Sequence, residues 1–277
     1  MNLIDATILG VVEGLTEFLP ISSTGHLIVA SSLLGAHDER GKVFEIAIQI
    51  GAIFAVVWAY RERFFSAFKS VLRPGDGQRF FVNLFIAFLP VAALGLLLNK
   101  TIKAVLFNAY GVAAASIVGA IIILWAERDN RRELRESRAR VRDVDNITAL
   151  DALKIGFVQC LGLFPGMSRS GSTLIGSMLL GLSRRTATEF SFFLGVPTLA
   201  AASLYSLYKE RALLSAADAP AFAVGTVVSF IVALIVIRWL IQFVASHSLR
   251  AFAWYRIAFG VAIFAAGHFG WVNWPSA

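Results

Sequence analysis

The sequence has little charge and almost no cysteine. Charged residues make up 16% of its 277 positions, against about 25% in a typical soluble globular domain. The single cysteine, Cys160, excludes an intramolecular disulfide and a cluster of thiolate metal ligands. We expect it to be a small buried apolar side chain. The alternation of apolar and polar residues that marks a membrane β-barrel is also missing, so any membrane-crossing segments should be helices.

The sequence is instead rich in long apolar blocks. Hydrophobic residues account for 57% of the chain, and the mean hydropathy is +0.72. A helix of about 20 apolar residues crosses a bilayer. We therefore expect six spans, at 43–60, 80–98, 104–126, 186–208, 221–240 and 251–270. The prediction is one all-α polytopic membrane domain over residues 1–277. Residues 1–5 lack the basic start of a signal peptide, so we expect the first apolar segment to be retained.

The formal net charge of +7 lies in the links between the apolar blocks, which favours a role in topology over nucleic-acid binding. With the N-terminus outside, most Lys and Arg residues fall in the inside links, which are 61–79, 127–154, 183–185 and 241–250. Both termini are therefore predicted to be outside the cell membrane. The arginines and acids interleaved over 127–145 predict a solvated helix or an ordered loop.

Two further apolar segments are each interrupted by polar residues, which predicts re-entrant helix hairpins. The first covers 6–34 and breaks at Pro20; the second covers 155–182 and breaks at 165–173. At one constant offset the two segments match in several positions: Gly10 with Gly156, Leu15 with Leu161, Phe18 with Phe164, Ser22 with Ser168 and Gly25 with Gly171.

This match indicates an internal repeat, with copies at 1–126 and 152–270 joined by a charged cytoplasmic loop at 127–151. Each copy is a hairpin followed by three spans. An odd number of crossings makes the second copy enter the membrane from the opposite side, which gives an inverted repeat. The two breaks should then meet near the middle of the membrane.

The first hairpin supplies acids and an imidazole. Glu13 and Glu17 are four residues apart and share a helix face, where two carboxylates need a proton, a metal ion or a basic group between them. Oxygen ligands suit Mg²⁺ or Ca²⁺, so both are candidate metal ligands; a wet acidic face on an interfacial helix is the alternative. His26 follows the polar turn, and we predict a nucleophile or general acid/base there, the alternative being a hydrogen-bonded polar group without a catalytic role.

The second hairpin supplies a guanidinium and hydroxyls. Arg169 follows a Pro-Gly break where a helix restarts, and a helix N-terminus beside an arginine suits phosphate. The turn after Pro20 repeats this design, although Ser and Thr there could also be plain N-caps. The candidate phosphate-binding residues are Ser22, Thr24, Gly25, Gly166, Ser168, Arg169, Ser170 and Thr173. The embedded ionisable residues Glu45, Glu189 and Arg256 either pair or line the cavity.

Together the breaks would form one site with the groups that phosphoryl transfer requires. Walker-type and Gly-x-Ser-x-Gly sequences are absent, which argues against nucleotide motors and hydrolase-fold esterases. The motifs Glu13-xxx-Glu17-Phe18-Leu19-Pro20-Ile21-Ser22-Ser23-Thr24-Gly25-His26 and Pro165-Gly166-Met167-Ser168-Arg169-Ser170-Gly171-Ser172-Thr173 closely resemble those of the bacterial undecaprenyl-diphosphate phosphatases, also called bacitracin-resistance proteins. The resemblance covers essentially the full length.

This resemblance implies removal of one phosphate from a C55 isoprenyl diphosphate, which regenerates the lipid carrier for peptidoglycan and other envelope polymers. It implies a divalent cation, competition with bacitracin for the lipid substrate, and a site in the bacterial inner membrane open to the periplasmic or outer face. Position by position, Glu13 and Glu17 match the acidic motif, His26 the proposed nucleophile or base, and Ser23 a proposed nucleophile or orienting hydroxyl. Arg169, with Ser168, Ser170 and Thr173, matches the phosphate-binding motif.

The alternative from another class is an inverted-repeat transporter or a flippase for a phosphorylated lipid, because broken helices at the midplane are a transporter design. The chemical asymmetry of the two breaks favours an enzyme, since a carrier needs only binding. A structural scaffold would leave the embedded charges without a purpose. The attacking group (His26, Ser23 or water), the metal, the preferred prenyl length and the oligomeric state, a homodimer included, are left open by the sequence.

Overall fold

The computed structural model describes residues 1–36, 38–106, 108–128 and 136–270. Over these residues it contains eleven α-helices and four short 3-10 helices, and no β-strand. Six of the helices are long and apolar enough to cross a membrane, and each coincides with one of the predicted spans. The predicted all-α polytopic membrane fold is therefore confirmed.

The helices follow the same order twice. The first half contains α1 (Leu3–Thr16), α2 (Ser23–Leu33), α3 (Glu39–Ala59), α4 (Arg61–Lys69), α5 (Asp76–Leu106) and α6 (Ala109–Ala126). The second half contains α7 (Ala149–Gln159), α8 (Arg169–Leu179), α9 (Arg184–Lys209), α10 (Ala219–Ser246) and α11 (Arg250–His268). Each half is a pair of short helices followed by three long ones, and α4 is an additional short helix in the first half.

The predicted link at 99–103 between the second and third spans is wrong. Helix α5 continues to Leu106, and α6 begins at Ala109. The polar residues of 99–103 lower the hydropathy without supplying a glycine or proline, so the apolar run ends while the backbone stays helical. The helix start at α6 is set by Asn108, whose side chain accepts a hydrogen bond from the Gly111 N–H at 2.9 Å.

The two halves interlock through equivalent helices. Helix α1 packs against α10, and its counterpart α7 packs against α5, which is the counterpart of α10. Glycine makes both approaches possible: a Cβ on Gly10 would lie 2.6 Å from the Gly225 carbonyl oxygen, and one on Gly156 would lie 2.5 Å from that of Ala87. The remaining long helices pair as α3 with α9 and α6 with α11. Each hairpin is thus held by a span of the other half.

The described part of the charged loop is an ordered connection that packs on one end of the helices. Val141 forms an isolated parallel bridge with Leu182, and Asp145 forms an ion pair with Arg63. Arg140 bonds Asp151 at the start of α7, 2.5 Å apart. Residues 129–135 of the loop lie outside the described residues, so the prediction of a solvated helix or an ordered loop is untested there.

Candidate active site

The two polar breaks lie against each other. The Ser170 hydroxyl donates to the Leu19 carbonyl at 2.9 Å. Arg256, from α11, is fully buried and donates to carbonyls of both breaks: Pro20 at 3.2 Å, and Gly166 and Met167 at 3.0 Å each. A guanidinium offers five N–H donors and no acceptor. It can therefore bind the backbone carbonyls of a helix break, which have no partner within a helix. Arg256 therefore joins the two hairpins at the point where their helices are interrupted.

Both breaks place a serine in the left-handed backbone region. Ser22, the N-cap of α2, has φ 73°, and Ser168, the N-cap of α8, has φ 69°. A non-glycine residue in such a conformation costs about 1–3 kcal/mol and is typical of functional sites. The matching strain at matching positions indicates that both helix starts are held in a defined geometry. Gly166, with φ 92°, adopts its positive angle without that cost.

Glu17 connects chemistry from the two halves. Its Oε2 accepts a hydrogen bond from the Ser23 hydroxyl at 2.5 Å, and its Oε1 accepts one from Arg169 Nη2 at 2.8 Å. The ion pair is largely buried, with side-chain exposures of 4% for Glu17 and 11% for Arg169. A buried carboxylate needs such partners to remain ionised. The arrangement gives Ser23 a proton acceptor and places a cation beside it.

Helix α9 holds the Arg169 guanidinium in place. Arg169 Nη1 donates to the Ser191 carbonyl at 3.0 Å. Gly195, one turn further on, leaves room for the guanidinium, because a Cβ there would lie 2.6 Å from Nη1. The Ser191 hydroxyl in turn bonds Thr173 at 2.5 Å. Arg169 Nε is buried without a hydrogen-bond partner in the structure, so the Nε–H of this guanidinium is an unpaired donor.

A cavity of about 160 Å³ lies between the breaks. Of the predicted site residues, those that line it are Glu17, Ser22, Ser23, Thr24, Gly166, Ser168 and Arg169. The side chain of Ser22 forms no cap bond with α2, so it leaves the first-turn N–H groups of that helix, beside the cavity, uncapped. In α8 the Ser168 hydroxyl accepts from the Gly171 N–H at 3.0 Å. The cavity is thus lined by a helix N-terminus, a guanidinium, a carboxylate and several hydroxyls.

The other predicted site residues lie around this cavity without lining it: Glu13, Gly25, His26, Ser170 and Thr173. Gly25 packs towards Val112 and Phe259, with a Cβ position 3.3 Å from each. Ser170 and Thr173 bond the neighbouring segments described above. Their positions make them supports for the break and for Arg169.

Glu13 lies one helical turn before Glu17 and is fully buried. Neither of its carboxylate oxygens has a hydrogen-bond partner in the structure. A buried carboxylate without a partner is costly, so a proton or a cation is expected to accompany it. Within the described residues no group of three or more His, Cys, Asp or Glu side chains is placed to hold a metal ion.

His26 points towards α11. Its Nδ1 lies 2.8 Å from the Ser22 carbonyl, which can only accept, so Nδ1 carries a proton. In the neutral ring Nε2 then accepts a hydrogen bond from the Tyr255 hydroxyl, at 2.6 Å. The imidazole also stacks on Phe259, with ring centroids 4.0 Å apart. Both ring nitrogens are therefore engaged with protein groups.

The sequence left the roles of three embedded ionisable residues open and did not indicate two polar residues of the cavity. Glu189 pairs with Arg185 at 3.0 Å, Arg256 bonds the break carbonyls, and Glu45 does not line the cavity. Gln49 and Thr198 line the cavity but belong to spans whose sequence shows no polar motif. Their isolated amide and hydroxyl within apolar helices were the only available signal.

The fold and the site define a polytopic membrane protein with a polar cavity, suited to phosphate, between two apposed helix breaks. The chain belongs to the family described as bacitracin resistance protein BacA, whose sequence profile it matches over residues 6–262. It is 56% identical over 274 residues to the undecaprenyl-diphosphatase of Dechloromonas aromatica (strain RCB), covering 99% of this chain and 98% of the relative.

Other curated relatives are similarly close. The undecaprenyl-diphosphatase of Acidovorax ebreus (strain TPSY) is 56% identical over 272 residues, which cover 98% of this chain and 97% of the relative. Undecaprenyl-diphosphatase 1 of Paraburkholderia xenovorans (strain LB400) is 54% identical over 269 residues, which cover 97% and 96%. The family resemblance carried by the two break motifs is thereby confirmed.

Proposed function

We propose that this chain is an undecaprenyl-diphosphate phosphatase, which hydrolyses undecaprenyl diphosphate to undecaprenyl phosphate and inorganic phosphate. The names of its full-length relatives and its family membership support this activity. The reaction recycles the lipid carrier for peptidoglycan and other envelope polymers. Bacitracin competes for the same lipid diphosphate, so the activity gives bacitracin resistance. The enzyme lies in the bacterial inner membrane as a multi-pass protein, with its site facing the periplasmic or outer side, and a homodimer is compatible with this role.

The observation that carries the mechanism is the double hydrogen bonding of Glu17 by Ser23 and Arg169 at the cavity wall. Ser23 Oγ gives its proton to Glu17 and attacks the terminal phosphorus. The bond from that phosphorus to the bridging oxygen breaks, and Glu17 passes the proton to the leaving undecaprenyl phosphate. A water molecule then attacks the phosphoserine; Glu17 takes a proton from the water and returns it to Ser23 Oγ as inorganic phosphate leaves. General base assistance of this kind contributes about 10²–10⁴-fold.

The negative charge of the diphosphate is neutralised by Arg169 of the second half and by the N-terminus of α2. Arg169 retains its Nε–H as a free donor for a phosphate oxygen. The N–H groups of the first turn of α2 add a positive dipole end beside Ser23. These groups act where charge collects on the transferred phosphoryl group, which is the principal requirement of phosphoryl transfer.

We also propose that a divalent cation, Mg²⁺ or Ca²⁺, accompanies the diphosphate, with Glu13 and Glu17 as its protein carboxylates. The two unpartnered oxygens of Glu13 fit such an ion, and each Glu17 oxygen keeps a lone pair beyond its one hydrogen bond. Mg²⁺ sites commonly use one or two carboxylates plus substrate phosphates. When bound, the cation neutralises charge on the diphosphate.

His26 serves this mechanism as a positioning residue. Its Nδ1–H holds the carbonyl of Ser22, the strained residue directly before Ser23. We therefore assign the attack to Ser23. His26 fixes the backbone from which Ser23 is presented, and Tyr255 fixes His26.

The test is phosphate release from undecaprenyl diphosphate by the purified protein in detergent. Ser23→Ala and Arg169→Ala should each lower kcat by about 100-fold or more. The exposed residues Ser215 and Arg238 provide matched controls, and Ser215→Ala and Arg238→Ala should retain wild-type turnover. Wild-type kcat in Ser23→Ala would exclude Ser23 as nucleophile, and an inactive wild-type protein would overturn the proposed activity.

A second measurement distinguishes Ser23 as the nucleophile from His26 and from water. With substrate labelled in its terminal phosphate, an acid quench during turnover should yield acid-stable phosphoserine at Ser23. His26→Ala should still form the labelled intermediate, more slowly, because only the positioning of Ser22 is lost. Label recovered as acid-labile phosphohistidine, or turnover without any labelled protein, would contradict the assignment.

A further inference from the structure

An apolar groove continues from the catalytic cavity between α5 and α9. It has a volume of about 450 Å³. Four residues line both spaces: Val91, Leu163, Thr198 and Ala202. The groove therefore adjoins the cavity, with the polar residues on the cavity side and the apolar residues on the groove side.

The groove is formed by one face of each helix. Its α5 residues recur at three- and four-residue intervals from Phe88 through Val91 to Gly95, and its α9 residues do so from Thr198 through Ala202 to Ser206. Such spacing places residues on a single helix face. Small residues keep that face open: a Cβ on Gly95 would meet only Leu163, at an ordinary 3.6 Å.

The groove is open towards the outside of the helix bundle. Two of its residues, Leu96 and Tyr205, are 70% and 51% exposed in the structure. In a membrane this side faces lipid. A chain entering the groove at the cavity could leave it into the bilayer, so the groove need hold only part of a long lipid tail.

A second large apolar cavity does not adjoin the catalytic cavity. It has a volume of about 400 Å³, and among its lining residues are Phe54, Trp58 and Val227. None of its lining residues lines the catalytic cavity. It therefore offers no path for a tail whose diphosphate lies at Arg169.

We infer that the groove between α5 and α9 binds the isoprene units nearest the diphosphate and so favours prenyl chains longer than C5. This inference rests on the proposed function, since it takes a prenyl diphosphate as the ligand. The cavity would bind the polar head and the adjoining groove the apolar tail, and Gly95 and Ala201 would set the width of the groove. Ala201 lines the groove but not the catalytic cavity.

The test uses substitutions with larger side chains that fill the groove at positions away from the reacting groups. Gly95→Leu and Ala201→Phe should raise KM for farnesyl and undecaprenyl diphosphate roughly tenfold, the size of effect expected when several methylenes lose their contacts. KM for isopentenyl diphosphate, whose C5 tail ends near the cavity, should stay unchanged, as should kcat for all three substrates. Ala93, exposed on α5 and outside the groove, supplies the matched control Ala93→Phe, which should behave as wild type.

Several results would overturn the inference. These are an unchanged KM for the long substrates, an equal rise for all three substrates, and a chain-length-dependent rise in Val227→Trp, which fills the other apolar cavity. A thermal-shift measurement with farnesyl methylenediphosphonate, which is not cleaved at its phosphorus–carbon–phosphorus bridge, tests tail binding even if the wild type releases no phosphate. Wild type and Ala93→Phe should be stabilised more than Gly95→Leu; an equal shift would contradict the groove, whereas absent hydrolysis alone would contradict only the proposed activity.

Discussion

Glu13 and Glu17 occupy the same face of one helix, yet their surroundings differ completely. Glu17 accepts hydrogen bonds from a hydroxyl and a guanidinium, whereas Glu13 accepts none and is fully buried. Sequence spacing shows that two carboxylates are close but cannot show which of them receives the arginine. That depends on the register in which the two hairpins meet. We base the proposed roles on this contact: Glu17 acts as the base and also shares the cation, whereas Glu13 acts only as an ion ligand.

The proposed role of Glu13 predicts a cation-dependent stability. With a non-cleavable prenyl diphosphonate present, Mg²⁺ should raise the melting temperature of the wild-type protein relative to EDTA, because ligands that bind only the folded state stabilise it. Glu13→Gln should lose most of this shift, since an amide binds a hard cation more weakly than a carboxylate does. Differential scanning fluorimetry in detergent measures both.

Glu189→Gln is the control, because Glu189 lies outside the cavity and pairs with Arg185. It should keep the wild-type response to Mg²⁺. A full Mg²⁺ shift in Glu13→Gln would remove Glu13 from the cation site.

At the scale of elements, sequence predicted the helices better than their junctions. Hydropathy gave the six spans, and the repeat indicated that the two breaks meet. It could not show that Arg256 joins them, because the partners of Arg256 are backbone carbonyls, which every residue carries. The partner of His26 was hidden for a similar reason: Tyr255 lies 229 residues away in an apolar span. Contacts between distant helices depend on packing, which local periodicity does not encode.

Arg256 should therefore be important for stability. In Arg256→Met the carbonyls of Pro20, Gly166 and Met167 lose their buried donors. The unfolding free energy should fall by roughly 3 kcal/mol or more, which corresponds to a melting temperature lower by roughly 6–12 °C. Thermal unfolding in detergent, followed by circular dichroism, measures the change. Arg238→Met, at an exposed position on α10, should shift the melting temperature little; equal melting of the two variants would show that the carbonyl contacts of Arg256 contribute no net stability.

The start of α7 predicts a pH dependence. Burial acts to raise the pKa of Asp151, but hydrogen bonds from Arg140 and Thr148 outweigh it and hold that pKa below its usual value. A carboxyl with a depressed pKa in the folded state stabilises the protein above its unfolded pKa. This contribution is lost as the pH falls through the folded-state pKa, below about pH 4.

The substitution Asp151→Asn removes the carboxyl group whose ionisation makes the stability depend on pH. The variant should melt below the wild type at pH 7, and the difference should shrink as the pH is lowered through 4 towards 3. Melting curves over this range measure the trend. Asp76, which is exposed at the start of α5, gives the control Asp76→Asn, which should differ little from wild type at any pH. If the difference in melting temperature between Asp151→Asn and wild type stays constant with pH, the ionised Asp151 carboxylate does not stabilise the fold.

At the scale of the whole molecule, the two halves exchange their hairpins. Helix α1 rests on α10 of the second half, and α7 rests on α5 of the first. The site is therefore built from residues of both halves. The first half brings Glu17 and Ser23, and the second brings Arg169.

The inverted arrangement and the basic links predict a definite orientation. The loop that holds Arg73 should face the cytoplasm, and the link that holds Ser215 should face the outside, as should the cavity residue Thr24. In a Cys160→Ala background, a membrane-impermeant maleimide added to intact cells should label Ser215→Cys, and Thr24→Cys more slowly because it is partly buried. Arg73→Cys should react only after the membrane is opened. Labelling of Arg73→Cys in intact cells would reverse the topology, and a Thr24→Cys that reacts only in opened membranes would place the site on the cytoplasmic side.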